Sequence, residues 1–508
     1  MITILTLFPL IGGLAVLVLS RARTAARGLA LAIAAMTLIM AVLVWRVFDP
    51  AVIGMQFQEI HEWAPSLGIA YHVGVDGLSV LMLTLAAMVT LMSLVASWSN
   101  AKLTPVYCAL VLFLEAGLFG TFTALNFVHW FIYWELSLIP AFFLVRIYGG
   151  PGRARAATQF FLYTMVGSIA LLLAFLALFL ATGHFDLIDL ARLAQAGQLT
   201  PSLANLHWPG STTHIAQLLF WAAFLGFAVK TPVVPFHTWL PATYAEAPSE
   251  ATMVLTGAMS KMGVYGFLRI LLPIFPEQMQ QARTPLLVLA VATIVLPAFA
   301  AWVQKDLKRT FAYSSINHLG YCVLGVCAAA QFTEMRLAPE KAAALTGVLL
   351  QVFSHALTAA TLFWTIALLE RRTGGLRGIE EFGGLRRLIP VFAGLMGITI
   401  FASLGLPGLS GFPGEFLIFK GSFPLAPWAT AVSVLGLLMT AIFLLTILQK
   451  VFSGPVNARW LGIPDLTTSE RLTLAPAIAL MFVVGLYPQF ITGMIHATIA
   501  QWAAGVGF

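Results

Sequence analysis

Seven side chains that can gain and lose protons lie inside otherwise apolar stretches of this chain. They are Glu115 in VLFLEAGLFG, Glu135 in FIYWELSLIP, Lys230 in FAVKTPVVPFHTWLP, Lys261 in GAMSKMGVYG, His318 in SSINHLGY, His355 in VFSHALTAA and Glu415 in GFPGEFLIF. An ionisable residue in hydrocarbon is expensive, and such residues generally mark ion or proton pathways. A proton relay needs groups of these types in series. The set therefore predicts proton movement rather than chemistry on a solute.

A structural role competes with this interpretation at several positions. A single buried ion can hold two helices together, and Glu115 is the residue for which this alternative is strongest. His129 and His237 fall near predicted helix ends, where an interfacial role competes with proton transfer. We keep Glu115 and His237 as auxiliary relay candidates. Lys420 is expected to extend to the membrane surface. Helix packing alone does not explain the presence of the whole set of ionisable residues, because helices that only pack together use small residues, Ser and Thr at their contacts.

The composition indicates an integral membrane protein. Of its 508 residues, 60% are hydrophobic and 9% are charged, whereas soluble domains carry about 25% charged residues. The formal charge of +7 is explained by basic loops facing a cytoplasm, and it does not indicate nucleic-acid binding. Cys108, Cys322 and Cys327 lie in apolar runs without a partner at metal-ligand spacing, so they are predicted to be packing residues. We predict no metal, cofactor or redox centre in this chain.

Fourteen segments are apolar and long enough to cross a membrane, which requires about 20 residues. They are 2–20, 28–48, 77–98, 104–124, 126–147, 156–182, 215–234, 250–272, 284–303, 308–330, 342–369, 388–422, 427–451 and 473–495. Of the 27 Lys and Arg residues, 18 lie in or beside odd-numbered connections and 7 in even-numbered ones. Because cytoplasmic loops are the basic ones, both termini are predicted on the outer side. The first segment precedes its basic cluster, the opposite of a cleavable signal peptide.

Two of these segments are interrupted. Pro232 and Pro235 follow Lys230, and Pro407 and Pro413 precede Glu415. Broken helices at membrane depth are tolerated where they line protein or a wet cavity. They are the seventh and twelfth segments, five apart, so spans 4–8 and 9–13 are predicted to form two inverted five-helix repeats. Interrupted helices at matching positions of two repeats indicate a transport site.

The predicted fold is therefore an all-α polytopic bundle forming one membrane domain. It divides into three N-terminal spans (1–98), a first repeat (104–272), a second inverted repeat (284–451) and a C-terminal span (473–495).

Five motifs resemble the antiporter-like subunits of respiratory complex I. They are YWELSLIP, KTPVVPFHTWLP followed by EAPSE, SKMGVYGFLRI, KDLKRTFAYSSINHLGY and LGLPGLSGFPGEFLIFKGSF. The resemblance covers nearly the whole chain and extends to sister proteins in multisubunit sodium/proton antiporters and membrane-bound hydrogenases. Within the family it favours the M type, because Glu415 stands where the L and N types usually have lysine.

The resemblance implies a role for each residue that matches a family motif. Glu135 pairs with Lys230, Lys261 is the central proton carrier, and His318 and His355 continue the path to Glu415. Quinone reduction elsewhere in the complex drives the protons. Flavin, iron-sulfur clusters and quinone are expected on partner subunits, and L-type and N-type subunits are the expected neighbours in a bacterial cytoplasmic membrane.

Three functions remain open from the sequence. The first is a proton-translocating subunit of NADH:quinone oxidoreductase. The second is the equivalent subunit of an ion antiporter or membrane-bound hydrogenase, in which the same relay serves another partner. The third is a membrane scaffold with vestigial charges, against which stand the full relay set and both helix breaks.

Overall fold

The computed structural model describes residues 1–330 and 337–504, and these are almost entirely helical. The first part contains α1 (Ile2–Val18), α2 (Arg23–Val47), β1 (Gln56–Ala64), β2 (Ile69–Val75), α3 (Gly77–Ser97), α4 (Pro105–Thr123), α5 (Phe127–Tyr148), α6 (Arg153–Thr182), α7 (Leu187–Gln195), α8 (Leu199–Ser202), α9 (Thr212–Lys230), α10 (Trp239–Glu246), α11 (Ser249–Val254), α12 (Lys261–Gly266), α13 (Leu272–Ile274) and α14 (Pro276–Gln281). The remainder contains α15 (Arg283–Trp302), α16 (Leu307–Ala329), α17 (Ala338–Thr373), α18 (Leu385–Leu388), α19 (Pro390–Ser403), α20 (Gly411–Leu425), α21 (Pro427–Ile447), α22 (Thr468–Leu486) and α23 (Gln489–Ala503).

Ten helices in the described parts of the chain are long and apolar enough to cross a membrane. Two shorter apolar helices, α1 and α19, accompany them. Helix lies over each of the fourteen segments chosen from the sequence, but length and hydropathy support ten spans, and the count of fourteen stays a prediction. One arginine used in the predicted loop charges, Arg336, lies outside the described residues.

Three boundaries differ from the sequence prediction. The segment predicted as 215–234 ends as a helix at Lys230, because Pro232 and Pro235 supply no backbone N–H. The segment predicted as 250–272 is interrupted by two π-helical stretches, Leu255–Met259 and Phe267–Leu271. The predicted span 473–495 stops at Leu486 and a separate helix, α23, follows, since the residue before Pro488 is forced out of helical geometry.

A two-stranded hairpin between α2 and α3 was not predicted. Strands β1 and β2 pair antiparallel, with Ile60 opposite His72 and Glu62 opposite Ala70. The carboxylate of Glu59 accepts hydrogen bonds from the backbone of Ile2 (2.7 Å) and from the side chain of Thr3, which attaches the hairpin to the start of α1.

Helix α17 is the central element of the bundle and packs against α3, α11, α16, α19 and α20. It begins with a proline in its first turn and ends at Gly374 in the left-handed conformation (φ +72°), a position that favours glycine. A Cβ on Gly414 would lie 2.7 Å from the backbone nitrogen of Gln351, so glycine permits the close approach of α20 to α17. The continuous helix α17 therefore contacts both α11, which leads into the π-helical stretch Leu255–Met259, and α20, which follows the second helix break.

Candidate functional site

The first helix break lies directly after Lys230 and is tied to neighbouring elements by hydrogen bonds. The indole of Trp239 donates to the carbonyl of Val229 (3.0 Å), which supplies a partner to the end of α9. The backbone N–H of Val234 donates to the hydroxyl of Thr293 on α15 (2.9 Å). Unsatisfied backbone groups are costly at membrane depth, and these two bonds stabilise the non-helical stretch beside the lysine.

Lys230 is buried, with 2% of its surface exposed, and lies against α5. Its Nζ is 3.4 Å from the hydroxyl of Ser137 and 4.9 Å from the centre of the Trp134 ring. Glu135, between these two residues in sequence, is half-buried and within coulombic range of Lys230. Among the described residues, no ion pair of 4.0 Å or less involves either side chain, and Oε1 of Glu135 is buried without a hydrogen bond. Glu135 and Lys230 are therefore within coulombic range of each other without forming an ion pair.

Lys261 is fully buried and follows directly after a π-helical stretch. Ser260 N–H donates to the carbonyl of Leu255 (3.0 Å), five residues earlier. The carbonyl of Thr256 instead accepts hydrogen bonds from the Ser260 hydroxyl (2.9 Å) and from Nζ of Lys261. Single π turns inside helices occur frequently at functional sites. Here the altered register gives the lysine head group a backbone partner within its own helix.

Glycine allows the helix carrying Lys261 to lie on the end of α9. A Cβ on Gly263 would come within 2.0 Å of the Thr231 hydroxyl and 2.8 Å of the Phe227 carbonyl. The two lysines are nonetheless separated. The cavity between Lys230 and Ser260, about 10 Å³ in volume and also lined by Trp239, Tyr244 and Leu255, has apolar walls and is at the lower limit for one water molecule. The space between Lys230 and Ser260 therefore accommodates at most one water molecule.

From Lys261 onward, the polar groups are close together. Nζ of Lys261 is 2.6 Å from Nδ1 of His355 on α17. The ring of His355 lies 5.2 Å from the ring of His318 on α16, centre to centre, with 40° between their planes. Nδ1 of His318 is in turn 3.3 Å from Oε1 of Glu415 on α20. All four residues are at most 5% exposed.

The second helix break surrounds the acid at the far end of this series. Gly405, in the left-handed conformation (φ +77°), lies under the carboxylate, and a Cβ there would be 2.4 Å from Oε2 of Glu415. Ser403, the last residue of α19, has its hydroxyl 3.2 Å from Nε2 of His318. The break between α19 and α20 therefore makes room for the Glu415 carboxylate and contributes a hydrogen-bond partner to its histidine.

The auxiliary candidates lie away from this series of contacts. Glu115 is fully buried in α4, and neither of its carboxylate oxygens has a hydrogen bond among the described residues. His129 is packed between Tyr71 (ring centres 4.5 Å apart) and Tyr133 (5.0 Å), as a structural residue would be. His237 is half-buried in the turn after the first break, and Lys420 is exposed as expected. The three cysteines are buried and free.

Sequence reasoning missed several neutral polar residues of the site. Gln351 is the most important, because its amide donates to Nδ1 of His318 (3.2 Å) and to Oε1 of Glu415 (3.4 Å). It precedes His355 by four residues, so the two share a face of α17, and that spacing could have identified it. Ser137, two residues after Glu135, and Thr256, five residues before Lys261, carry no comparable signal.

The family described as "NADH:quinone oxidoreductase/Mrp antiporter, TM" matches residues 124–440. This chain belongs to that family. The matched region contains Glu135, Lys230, Lys261, His318, His355 and Glu415, so the whole series of contacts falls within the part that matches the family.

Relatives and solved structures extend the similarity to almost the whole chain. NADH-quinone oxidoreductase subunit M of Rhodobacter capsulatus is 34% identical, covering 99% of this chain and 96% of the relative. F(420)H(2) dehydrogenase subunit M of Methanosarcina mazei is also 34% identical, covering 91% of this chain and 90% of the relative. A chain in the structure of respiratory complex I from Thermus thermophilus with bound NADH superposes with a TM-score of 0.85 at 29% identity, covering all of both chains.

Proposed function

We propose that this chain is the M-type, proton-translocating membrane subunit of an NADH:quinone oxidoreductase. The observation that carries the proposal is the buried series from Lys261 through His355 and His318 to Glu415, with contacts of 2.6 Å and 3.3 Å at its two ends. Positioned groups of these types supply the acid–base steps of proton transfer. Similarity to subunit M of Rhodobacter capsulatus over nearly the full length supports the choice of parent complex.

In this mechanism, Lys261 gives a proton from Nζ to Nδ1 of His355. The 5.2 Å between the two histidine rings is crossed by ring reorientation or through a water molecule, and His318 then passes a proton to Glu415. Nδ1 of His318 faces both the Gln351 amide and Oε1 of Glu415. It accepts from Gln351 when unprotonated and donates to Glu415 when protonated, and in the protonated state the Gln351 amide keeps Oε1 of Glu415 as its acceptor.

The Glu135–Lys230 pair is proposed to act as the switch that feeds Lys261. If the two charges close to about 4 Å at an effective dielectric of about 20, their attraction is about 4 kcal/mol. Carrying one charge across 100 mV requires about 2.3 kcal/mol. The change in energy when this pair opens or closes is therefore large enough to control a transmembrane proton step. We assign the unpaired Glu135 and the apolar cavity beside Ser260 to the disconnected state of this proposed switch.

The finer topology belongs to the same proposal. Fourteen spans, two inverted repeats over spans 4–8 and 9–13, and both termini on the outer side agree with the basic loops and with the break after Lys230 and the break before Glu415. The electron-transfer cofactors are assigned to partner subunits, and neighbouring L-type and N-type subunits complete the membrane arm.

A second parent complex is supported by the equally similar dehydrogenase subunit of Methanosarcina mazei. To test the assignment, the tagged chain is extracted mildly from native membranes and the co-purifying proteins are identified by mass spectrometry. Recovery of flavin- and iron-sulfur-containing NADH-oxidising subunits, with NADH:quinone activity, supports the proposal. Recovery of antiporter, hydrogenase or other dehydrogenase subunits instead contradicts the named complex while leaving the relay intact.

A further inference from the structure

A cleft of about 800 Å³ opens between α2, α3, α17 and α22, on the opposite side of α17 from Lys261. Its floor is formed by two aromatic residues of α17, Phe353 and Trp364. Methionine and aliphatic side chains of the other three helices form its walls. Nothing in the proposed proton relay uses this cleft.

The cleft extends through about half of the hydrocarbon thickness and has a cation, Arg46, in its lining. On α3 it runs from Thr84 to Val95, about 16 Å at a rise of 1.5 Å per residue, and the hydrocarbon core is about 30 Å thick. Arg46, exposed in the last turn of α2, lies at the mouth. Beside it, Trp45 stacks on Phe490 at 5.5 Å. Aromatic rings and arginines of this kind are typical of the head-group level of a bilayer.

The size and polarity of the cleft limit its occupant. A spanning helix is at least about 10 Å wide and about 30 Å long, whereas α3 lines the cleft over about 16 Å, from Thr84 to Val95. An extended peptide would need partners for its backbone groups. The cleft's threonine hydroxyls already donate within their own helices, from Thr84 to Val80 (3.0 Å) and from Thr473 to Glu470 (3.1 Å). A narrow, apolar, chain-like molecule with a negative end fits these constraints.

We propose that the cleft binds an anionic phospholipid, with acyl chain against Phe353 and Trp364 and phosphate beside Arg46. Arginine forms charge-assisted hydrogen bonds with phosphate oxygens, and its planar guanidinium can bind them in pairs. Phe353 and His355 are two residues apart on α17, so they point to nearly opposite faces of the helix. The lipid therefore packs against the face of α17 opposite the face on which His355 contacts Lys261.

The test uses the complete complex in native membranes with a photoreactive benzoylphenylalanine at Val42, an exposed residue of the cleft wall. After irradiation, the intact mass of the chain reports what has been captured. The expected result is the mass of one phospholipid. With Arg46→Gln the adduct should fall about tenfold, equivalent to ~1.4 kcal/mol. Arg192→Gln, which changes an exposed arginine paired with Asp189 on α7, is the matched control and should leave the adduct unchanged.

A second variant addresses the cleft itself. Ala477 lines the wall on α22, and Ala477→Phe should fill the space and remove the phospholipid adduct in complexes shown to be assembled by native electrophoresis. Capture of a protein subunit at position 42 would overturn the proposal. So would the absence of any adduct, or a phospholipid adduct of equal yield in wild type and Arg46→Gln, which would indicate only bulk lipid.

Discussion

Lys230 and Glu415 lie in similar surroundings, but Glu415 contacts its charged partner and Lys230 does not. Each group lies buried beside a helix break, and each faces a residue of opposite or complementary charge on a neighbouring helix. Glu415 is in contact with His318, and Gln351 hydrogen-bonds to both. Among the described residues, Lys230 has a 3.4 Å contact to the Ser137 hydroxyl and lies 4.9 Å from the centre of the Trp134 ring, and it forms no ion pair with Glu135. The site around Glu415 is therefore a continuous set of contacts, whereas the site around Lys230 lacks the contact between the lysine and its acid.

Because the two sites differ in this way, we propose different functions for the two helix breaks. The second break places Gly405 and Ser403 around a fixed acid–histidine pair, as a permanent segment of a conducting path would require. The first break leaves Lys230 with weak partners and an apolar space toward Ser260. A group held by weak contacts can change position at low cost, so we propose that coupling to the rest of a complex acts at the first break.

The largest expected effect comes from removing the residue that joins the two halves. Lys261 has a fully buried ammonium with contacts to Thr256 and His355, so Lys261→Ala should slow proton transfer through this chain by about 10²–10⁴-fold. The measurement is NADH-driven proton uptake by proteoliposomes, expressed per electron transferred. Lys261→Arg, which keeps the charge but not the ability to release a proton, should be nearly as defective. Full pumping by both variants would exclude the relay.

A somewhat smaller effect is expected at the connected end. Glu415→Gln keeps the size of the side chain and removes its proton-accepting carboxylate, so proton transfer in the same assay should fall by about 10²-fold. Glu415→Asp retains the carboxylate and should recover part of the rate. If the glutamine variant pumps as well as wild type, the path leaves the histidines by another route and the terminal role of Glu415 is wrong.

The open and connected pairs should also differ in thermodynamic coupling. A double-mutant cycle on His318 and Glu415 should show a coupling of about 1–3 kcal/mol, as expected for a buried hydrogen bond to a charged group. The same cycle on Glu135 and Lys230, measured without substrate, should give less than about 0.5 kcal/mol, the level of independent sites. Thermal unfolding of the purified complex supplies the free energies. A strong resting coupling at Lys230 would mean that the pair is closed and that the comparison is wrong.

The sequence predicted the charged residues of the site far better than the contacts between them. Apolar surroundings identify Lys261, His318 and Glu415, because an ionisable group in hydrocarbon is improbable without a role. Proline and glycine similarly predict both breaks. The π turn before Lys261 and the bridging position of Gln351 depend on helix register and on tertiary packing between α17, α16 and α20, which local sequence patterns do not encode. The hairpin between α2 and α3 is not predicted by hydropathy, because its strands are only 9 and 7 residues long and the first carries Gln, Glu and His side chains.

Gln351 offers a more modest way to sharpen the comparison. Gln351→Leu removes the donor shared by His318 and Glu415 but preserves an aliphatic stem in the tight contact with Gly414. Losing this charge-assisted hydrogen bond, worth about 1.5–3 kcal/mol, should slow pumping about tenfold or more, with electron transfer measured in parallel. Gln351→Asn, whose amide is one carbon shorter, should give an intermediate rate. No change in either variant would show that the glutamine only fills space.

The smallest effect is expected from a lysine close to the relay in sequence but outside it in space. Lys420 is five residues after Glu415 on α20 and is exposed, whereas Glu415 and Ile418 are buried. Lys420→Gln should leave proton uptake per electron within about twofold of wild type, since exposed charges contribute about 0–1 kcal/mol. A loss as deep as that of Glu415→Gln would mean that the conducting path runs along the outer face of α20. The contrast between the two half-molecules would then reflect packing rather than proton transfer.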